Sequence, residues 1–329
     1  MKKLKEQNIV TLGAALQDIY LIDHDDLTTA KIGDKVILDK VLPGSKVDID
    51  KLSYSTGGGA LNAAVTLAHF GHNVTIMTNI GDDSAGANIM ATLDRAEIDN
   101  AYVEILPKAV TGTSIILLNS KTGERTIFTF RGASNKFNNL IASDLENMPA
   151  PDWLYISTLR GDFRTLTSFL NKAKELGIKV MMNPGTKELD RPEKLLKLLD
   201  RVDVLMVNKE EAARLVPGSN LTELLYHLSG YTPITIITDG PMGGIAGNTE
   251  TSEKYRFGTY EDAPPIDATG AGDAFGSAFL ASLAGGREFK EALIYGAANS
   301  TEVIRRIGAN LKTLTGTEAL HPMPIQEIN

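Results

Sequence analysis

Short apolar runs rich in β-branched residues alternate along this chain with longer stretches whose apolar positions recur every three or four residues. NVTIMTNIG (73–81), DWLYIST (152–158), IKVMMNPG (178–185), VDVLMVN (202–208) and PITIITDG (233–240) read as strands with polar or glycine boundaries. The segment from Asn8 to Ala14 predicts the first strand. Between them, GALNAAVTLAHFG (59–71), DFRTLTSFLNKAKELG (162–177), RPEKLLKLLD (191–200) and NLTELLYHLSG (220–230) carry the helical period, and Gly71 and Gly177 stand where helices end. Strand–helix alternation predicts an α/β fold with a mostly parallel sheet, helices on both faces and right-handed crossovers. Ligands bind such sheets outside the carboxyl ends of the strands.

Two stretches break the alternation. Residues of about 14–53 are polar and acidic with short β-like pieces such as KVILDKVL (35–42), and TGTSIILLNSKTGERTIFTFRG (111–132) reads as a hairpin turning at Lys121–Gly123. With 99–130 as the second segment, these pieces predict a small β-sheet lid over the main sheet, within one domain covering 1–329. Residues 53–81 hold no Asp, Glu, Lys or Arg, yet Asn62, His69, His72, Asn73 and Asn79 interrupt them, which predicts a buried helix and strand rather than a membrane span. The apolar piece from Ile9 to Leu16 is too short for a secretory signal, and no small-residue cleavage site follows it.

Composition narrows the partners. The 329 residues carry a formal net charge of -8 with no basic block, which disfavours nucleic acid and anionic membranes, both of which need concentrated Lys and Arg. A hydrophobic share of 43% with 22% charged residues suits a globular protein with a substantial core. The chain has no cysteine, which excludes disulfides, thiolate catalysis and cysteine–zinc sites, and a cytoplasmic location is the expectation. The five histidines have no metal-like spacing, and Trp153 reads as packing.

The chemistry concentrates in PPIDATGAGDAFGSAFLASLAGG (264–286), where glycines and alanines crowd ahead of an apolar run that holds Asp273 near its start. No G-x-x-x-x-G-K-[ST] motif occurs, and Gly270, Gly272 and Gly276 are spaced one residue too long for the dinucleotide fingerprint. Small residues at 270–272 let successive backbone N–H groups converge on one spot, and the helix that follows adds its positive end, so the segment suits an anion. Asp273 has two readings: a favourable first-turn charge, or a base positioned to take a proton from an attacking hydroxyl.

Two segments together, GGGALNAAVTLAHFG (57–71) and DATGAGDAFGSAF (267–279), resemble the paired signatures of the ribokinase-like, or PfkB, carbohydrate kinases, and the resemblance spans essentially the whole chain. It implies a three-layer α/β/α fold with a β-sheet lid, and transfer of the ATP γ-phosphate to a small sugar or nucleoside with Mg2+. By the same resemblance Asp273 is the general base, and Gly270, Ala271 and Gly272 form the anion hole. Asp18 in GAALQD, Gly57, Gly58, Gly59 and Asn62 would hold substrate. Asn208 and Glu211 in NKEE would organise Mg2+, through water, and Thr238, Gly240 and Gly243 in TDGPMGG would meet the nucleotide. Asn299 would sit on a helix walling the adenine. Asp267 and Thr269 offer a monovalent cation site for K+, although Ala268 stands where the family often has threonine.

Arg131 and Arg160 divide evenly between substrate contact and surface charge. Lys31, Lys35, Lys40, Lys46 and Arg131 form no compact cluster along the chain, so an unphosphorylated sugar, or next a nucleoside's ribose, is the expected acceptor. A homodimer through the lid is also expected. The rival readings are a non-catalytic sugar or nucleotide sensor and an oxidoreductase on a doubly wound sheet. The sensor would have lost Asp273 or the small residues before it, and the oxidoreductase lacks its fingerprint.

Overall fold

The computed structural model describes residues 4–22, 29–32, 35–38, 46, 48–49, 51–118, 125–260 and 266–328. The Lys121–Gly123 turn, Lys40, the Pro-Pro step at 264–265 and parts of the 14–53 segment lie outside them. The strands, in chain order, are β1 (Asn8–Leu12), β2 (Leu16–Ile22), β3 (Thr29–Ile32), β4 (Lys35–Leu38), β5 (Lys51–Gly57), β6 (Asn73–Gly81), β7 (Val103–Leu106), β8 (Thr113–Leu118) and β9 (Arg125–Phe130). They continue as β10 (Trp153–Ile156), β11 (Lys179–Met182), β12 (Val204–Asn208), β13 (Ile234–Thr238), β14 (Gly244–Asn248), β15 (Glu253–Phe257) and β16 (Ile325–Glu327). The helices are α1 (Gly59–His69), α2 (Ser84–Arg95), α3 (Phe163–Leu176), α4 (Thr186–Leu189), α5 (Pro192–Leu196), α6 (Lys209–Leu215), α7 (Leu221–Leu228), α8 (Ala271–Ala284) and α9 (Phe289–Ile304).

A ten-stranded sheet runs β16-β15-β14-β13-β12-β11-β10-β1-β6-β7, parallel from β7 to β13 and antiparallel beyond. Period-2 alternation feeds a core on each face. Trp153, Tyr155, Val204 and Met206 pack with α1, α2, α8 and α9, whereas Leu154, Ile156, Leu205 and Val207 pack with α3, α5, α6 and α7. The strand order reverses direction at β1: β6 lies on one side of it and β10 on the other. A crevice opens outside the carboxyl ends of strands at such a reversal.

A four-stranded sheet ordered β5-β2-β8-β9 stands apart from this one. Its inner face carries Tyr20, Ile22, Ile116 and Leu118, which form a small core with Ile307 packed against it. β3 and β4 make a separate two-stranded ribbon. The segment 99–130 divides between the two sheets: Val103–Leu106 does not belong to the smaller one but pairs in parallel with β6, because α2 carries the chain over from β6 to its neighbour. The antiparallel strands β14 and β15 extend the far edge beyond what the alternation predicts.

Candidate active site

Helix α8 starts at Gly270, whose φ of 78° is left-handed, and a Cβ there would overlap Ala309 Cβ. No side chain caps this helix start. The backbone N–H groups of Gly272 and Asp273 are therefore available to a ligand, with the helix dipole behind them, whereas Ala271, expected in the anion hole, donates its N–H to the Ala268 carbonyl at 3.4 Å. Ser300 donates to the Ala271 carbonyl at 3.0 Å and pins the turn against α9. Gly272 faces open space, Met206 Cε of β12 being 4.0 Å from the position of a Cβ.

Asp273 lies in the same turn, half-buried. Burial raises its carboxyl above the ordinary range, and the hydrogen bond that Asn62 Nδ2 donates to Oδ2 at 2.9 Å opposes the shift. Asn62 reaches it from α1, whose start at Gly58 has φ 96° and lies against the Ala14 carbonyl. A Cβ on Gly59 would come within 2.9 Å of Ser157 Cβ and 3.3 Å of Asp273 Oδ1, so the missing side chain keeps the space around the carboxylate clear.

Asp18 belongs to the inner face of the smaller sheet, is 4% exposed, and has its carboxyl pushed up to about 6. Desolvation is the main cause; a hydrogen bond with Ser114 counters it, and the charges of Asp267 and Asp273 add to it. Gly57 pairs across β5 and β2 beside it, and a Cβ there would overlap the Asp18 carboxylate. Asp18, Gly57, Gly58, Gly59, Asn62 and Asp273 thus converge from four elements, β2, β5, α1 and α8, at the carboxyl end of β1.

Asn208 ends β12 and caps α6 in a reciprocal box: its Oδ1 accepts from Glu211 N at 2.9 Å, and its own N donates to Glu211 Oε2 at 2.9 Å. Burial raises the Glu211 carboxyl, with the Asp273 charge contributing, so the two carboxylates share one electrostatic neighbourhood. Among the described residues no three carboxylate or histidine side chains gather into a metal cage. A single carboxylate facing an anion-binding turn suits Mg2+ held chiefly by phosphate and water. Thr238 ends β13. Gly240 (φ 55°) and Gly243 (φ 79°) shape the turn after it, where Asp239 N donates to the Gly243 carbonyl at 2.7 Å.

Asp267 is 1% exposed; its Oδ1 accepts from Thr269 N at 2.9 Å and lies 3.9 Å from Arg125 Nε. Among the described residues its Oδ2 and the Thr269 hydroxyl are buried with no well-formed hydrogen bond, the Tyr20 hydroxyl lying beside both, and these oxygens fit a monovalent cation. Asn299 is not at the site. Fully buried, it donates to the Ala274 carbonyl at 2.9 Å and accepts from Leu314 N at 2.8 Å, so its amide ties α9 to α8 and to the C-terminal segment instead of facing a nucleotide.

The sequence reading missed Asn310, Ser157 and Glu188. Asn310 Nδ2 donates to Asn62 Oδ1 at 3.0 Å and to the Thr56 carbonyl at 2.9 Å. Nothing in its local spacing singles it out.

An uncapped helix start with a half-buried carboxylate in its first turn fits an enzyme of the kinase type, one that moves a phosphoryl group onto a hydroxyl, and comparison with known proteins establishes that class. The chain belongs to the pfkB family of carbohydrate kinases, whose model matches residues 8–315. Its chemistry is therefore ATP-dependent phosphorylation of an alcohol acceptor. It is 25% identical over 286 residues to the ribokinase of Haemophilus influenzae, covering 84% of this chain and 90% of that one. It is also 25% identical over 316 residues to the ATP-dependent 6-phosphofructokinase of Thermoanaerobacterium thermosaccharolyticum, covering 93% and 90%. A putative ribokinase II from E. coli, solved with ATP and Mg2+, superposes with a TM-score of 0.75 at 20% identity over 93% of this chain and 96% of that chain, a likeness of fold. No helix among the described residues is long and apolar enough to cross a membrane.

Proposed function

We propose that this kinase transfers the ATP γ-phosphoryl group to a hydroxyl of a small sugar, with Asp273 as the general base. The observation that carries the reading is the pairing of an uncapped, small-residue helix start with a half-buried carboxylate in the same turn. Asp18 and Asn62 grip acceptor hydroxyls, and Asp273 takes the proton of the one that attacks. The N–H groups of Gly272 and Asp273 face the phosphoryl oxygens, and the turn at Thr238–Gly243 receives the nucleotide. Mg2+, held near Glu211 through water, would neutralise charge on the phosphate oxygens. Raised carboxyl values at Asp273, Asp18 and Glu211 mark where desolvation tunes the site.

The buried oxygens of Asp267 and Thr269 support K+ binding beneath the anion hole. On the smaller sheet, Leu52, Tyr54, Ile115, Phe128 and Phe130 are exposed on the face away from the site. That apolar face fits a second copy of the chain.

Release of ADP across a panel of neutral sugars, sugar phosphates, sugar acids and nucleosides tests the reading. Acceptor-dependent ADP with a sugar supports it. A nucleoside as best acceptor shifts the assignment to the ribose 5'-hydroxyl, and binding without turnover makes the protein a sensor.

A further inference from the structure

Arg131 and Arg160 are far apart in sequence, but the fold brings them to one place. Arg131 directly follows β9, leaving the strand with a helical backbone (φ -80°, ψ -28°) two residues after Thr129, which pairs with Ser114 in register with Asp18. Arg160 stands in the loop after β10, at the crevice beside β1. It has φ 61°, a left-handed backbone that arginine adopts only under constraint.

Glu188 supplies that constraint. Buried to 1% exposure, its carboxylate accepts from Leu159 N and Gly161 N at 2.8 Å each, from the Thr158 hydroxyl at 2.9 Å and from Gly185 N at 3.1 Å. Its oxygens are thus engaged with the loop that presents Arg160. Arg160 Nε is buried and has no hydrogen-bond partner, and neither arginine forms an ion pair among the described residues. Burial and the nearby Arg160 charge hold the Arg131 guanidinium below its ordinary value. Two like charges, one with a buried donor left over on a strained and stapled loop, form a site waiting for an anion.

We infer that the acceptor carries an anionic group, a phosphate or a carboxylate, which Arg131 and Arg160 hold while Asp18 and Asn62 take its hydroxyls. The inference rests on the kinase reading and narrows it, against the neutral acceptor that the scattered basic residues imply in the sequence. The arginines bind this group at the end of the acceptor remote from the reacting hydroxyl, so they set acceptor affinity and choice, not the proton transfer.

Two matched pairs test it: fructose 6-phosphate against fructose, and a ketodeoxy sugar acid against its methyl ester. One anionic member should be the better substrate by kcat/KM, and which one identifies phosphate or carboxylate. Arg160→Gln and Arg131→Gln should each raise KM for that acceptor about 10- to 100-fold, as loss of a charged hydrogen bond does, with the change in acceptor KM and not in ATP KM. Arg160→Lys should recover part of the loss. Equal or better use of both neutral acceptors overturns the inference and leaves the kinase standing, as does an unchanged KM in folded Arg160→Gln and Arg131→Gln. No ADP release with any acceptor from folded, ATP-binding protein overturns both.

Discussion

Asn62 Nδ2 donates to Asp273 Oδ2 at 2.9 Å, and its orientation is dictated from behind. The Thr56 carbonyl can only accept, so the Asn310 amide turns its nitrogen toward it; the same nitrogen donates to Asn62 Oδ1 and leaves Asn62 Nδ2 for the carboxylate. The chain of amides favours the ionised form of Asp273 against the burial that opposes it. Asn62→Leu should therefore move the acid limb of the kcat/KM profile to higher pH and reduce kcat/KM at neutral pH by about 10- to 100-fold. Asn310→Ala should shift the limb in the same direction by less. An unmoved limb in both variants would separate Asn62 from the titration of Asp273.

Asp18 is held at a cost in stability at neutral pH. Its carboxyl is raised from 3.8 to about 6, so between those values the folded protein holds a proton that the unfolded chain has released. Stability must fall as pH rises through that window and stay level above it. Asp18→Asn should remove the fall and stabilise the protein at pH 7 by on the order of 3 kcal/mol. The same variant should lose acceptor affinity, since the carboxylate accepts two hydroxyl protons where the amide oxygen accepts fewer. Denaturant titrations at pH 4, 5, 6 and 7 measure the difference; parallel curves for the two proteins would contradict the assigned strain.

The outer face of the smaller sheet should join two copies. Phe128 and Ile115 stand on directly paired residues and are 55% and 41% exposed. Burying a large apolar side chain is worth about 1.5–3 kcal/mol, and a twofold interface counts it twice. Phe128→Asp with Ile115→Lys should raise the dimer dissociation constant by roughly 10²-fold or more. Light scattering across a dilution series reads the mass; a wild-type monomer at all concentrations would leave the face without this partner.

Periodicity carried most of the central sheet because its parallel strands are buried on both faces and read as continuous apolar runs, as VLMV in β12 does. It failed where side chains are small or pairing is decided at a distance. GIAGN of β14 is buried throughout yet lacks the bulk that marks a strand, and Val103–Leu106 took its place from the crossover helix before it, not from its own alternation. Asp18 was legible in the GAALQD element, and Asn62 and Asp273 in the two glycine-rich segments; in the fold Gly57 stands against the Asp18 carboxylate, Gly59 against Ser157 and Asp273, and Gly270 against Ala309. Asn310 lies in no such segment. Asn299 misled because an asparagine in a helix looks the same whether its amide meets a ligand or, as here, a backbone.

The remaining test separates the two roles open to Asp273. A first-turn carboxylate that only favours the helix dipole contributes about 0.3–1 kcal/mol, so Asp273→Asn would soften α8 slightly and leave turnover nearly intact. The geometry argues for more. Its side chain does not cap the helix but accepts from Asn62 across the crevice, and Gly59 leaves the space before it clear. Burial lifts the carboxyl toward the range in which a base works near neutral pH. Asn keeps the size and shape of Asp and cannot take a proton, so kcat should fall roughly 10²–10⁴-fold. ATP affinity should survive, because the backbone N–H groups of the same turn are unchanged. The measurement is kcat with the best acceptor beside ATP binding by calorimetry. A near-normal kcat would return Asp273 to a helix-start residue and require another base, whereas loss of ATP binding alongside kcat would mean that the carboxylate holds the turn's shape instead of the acceptor's proton.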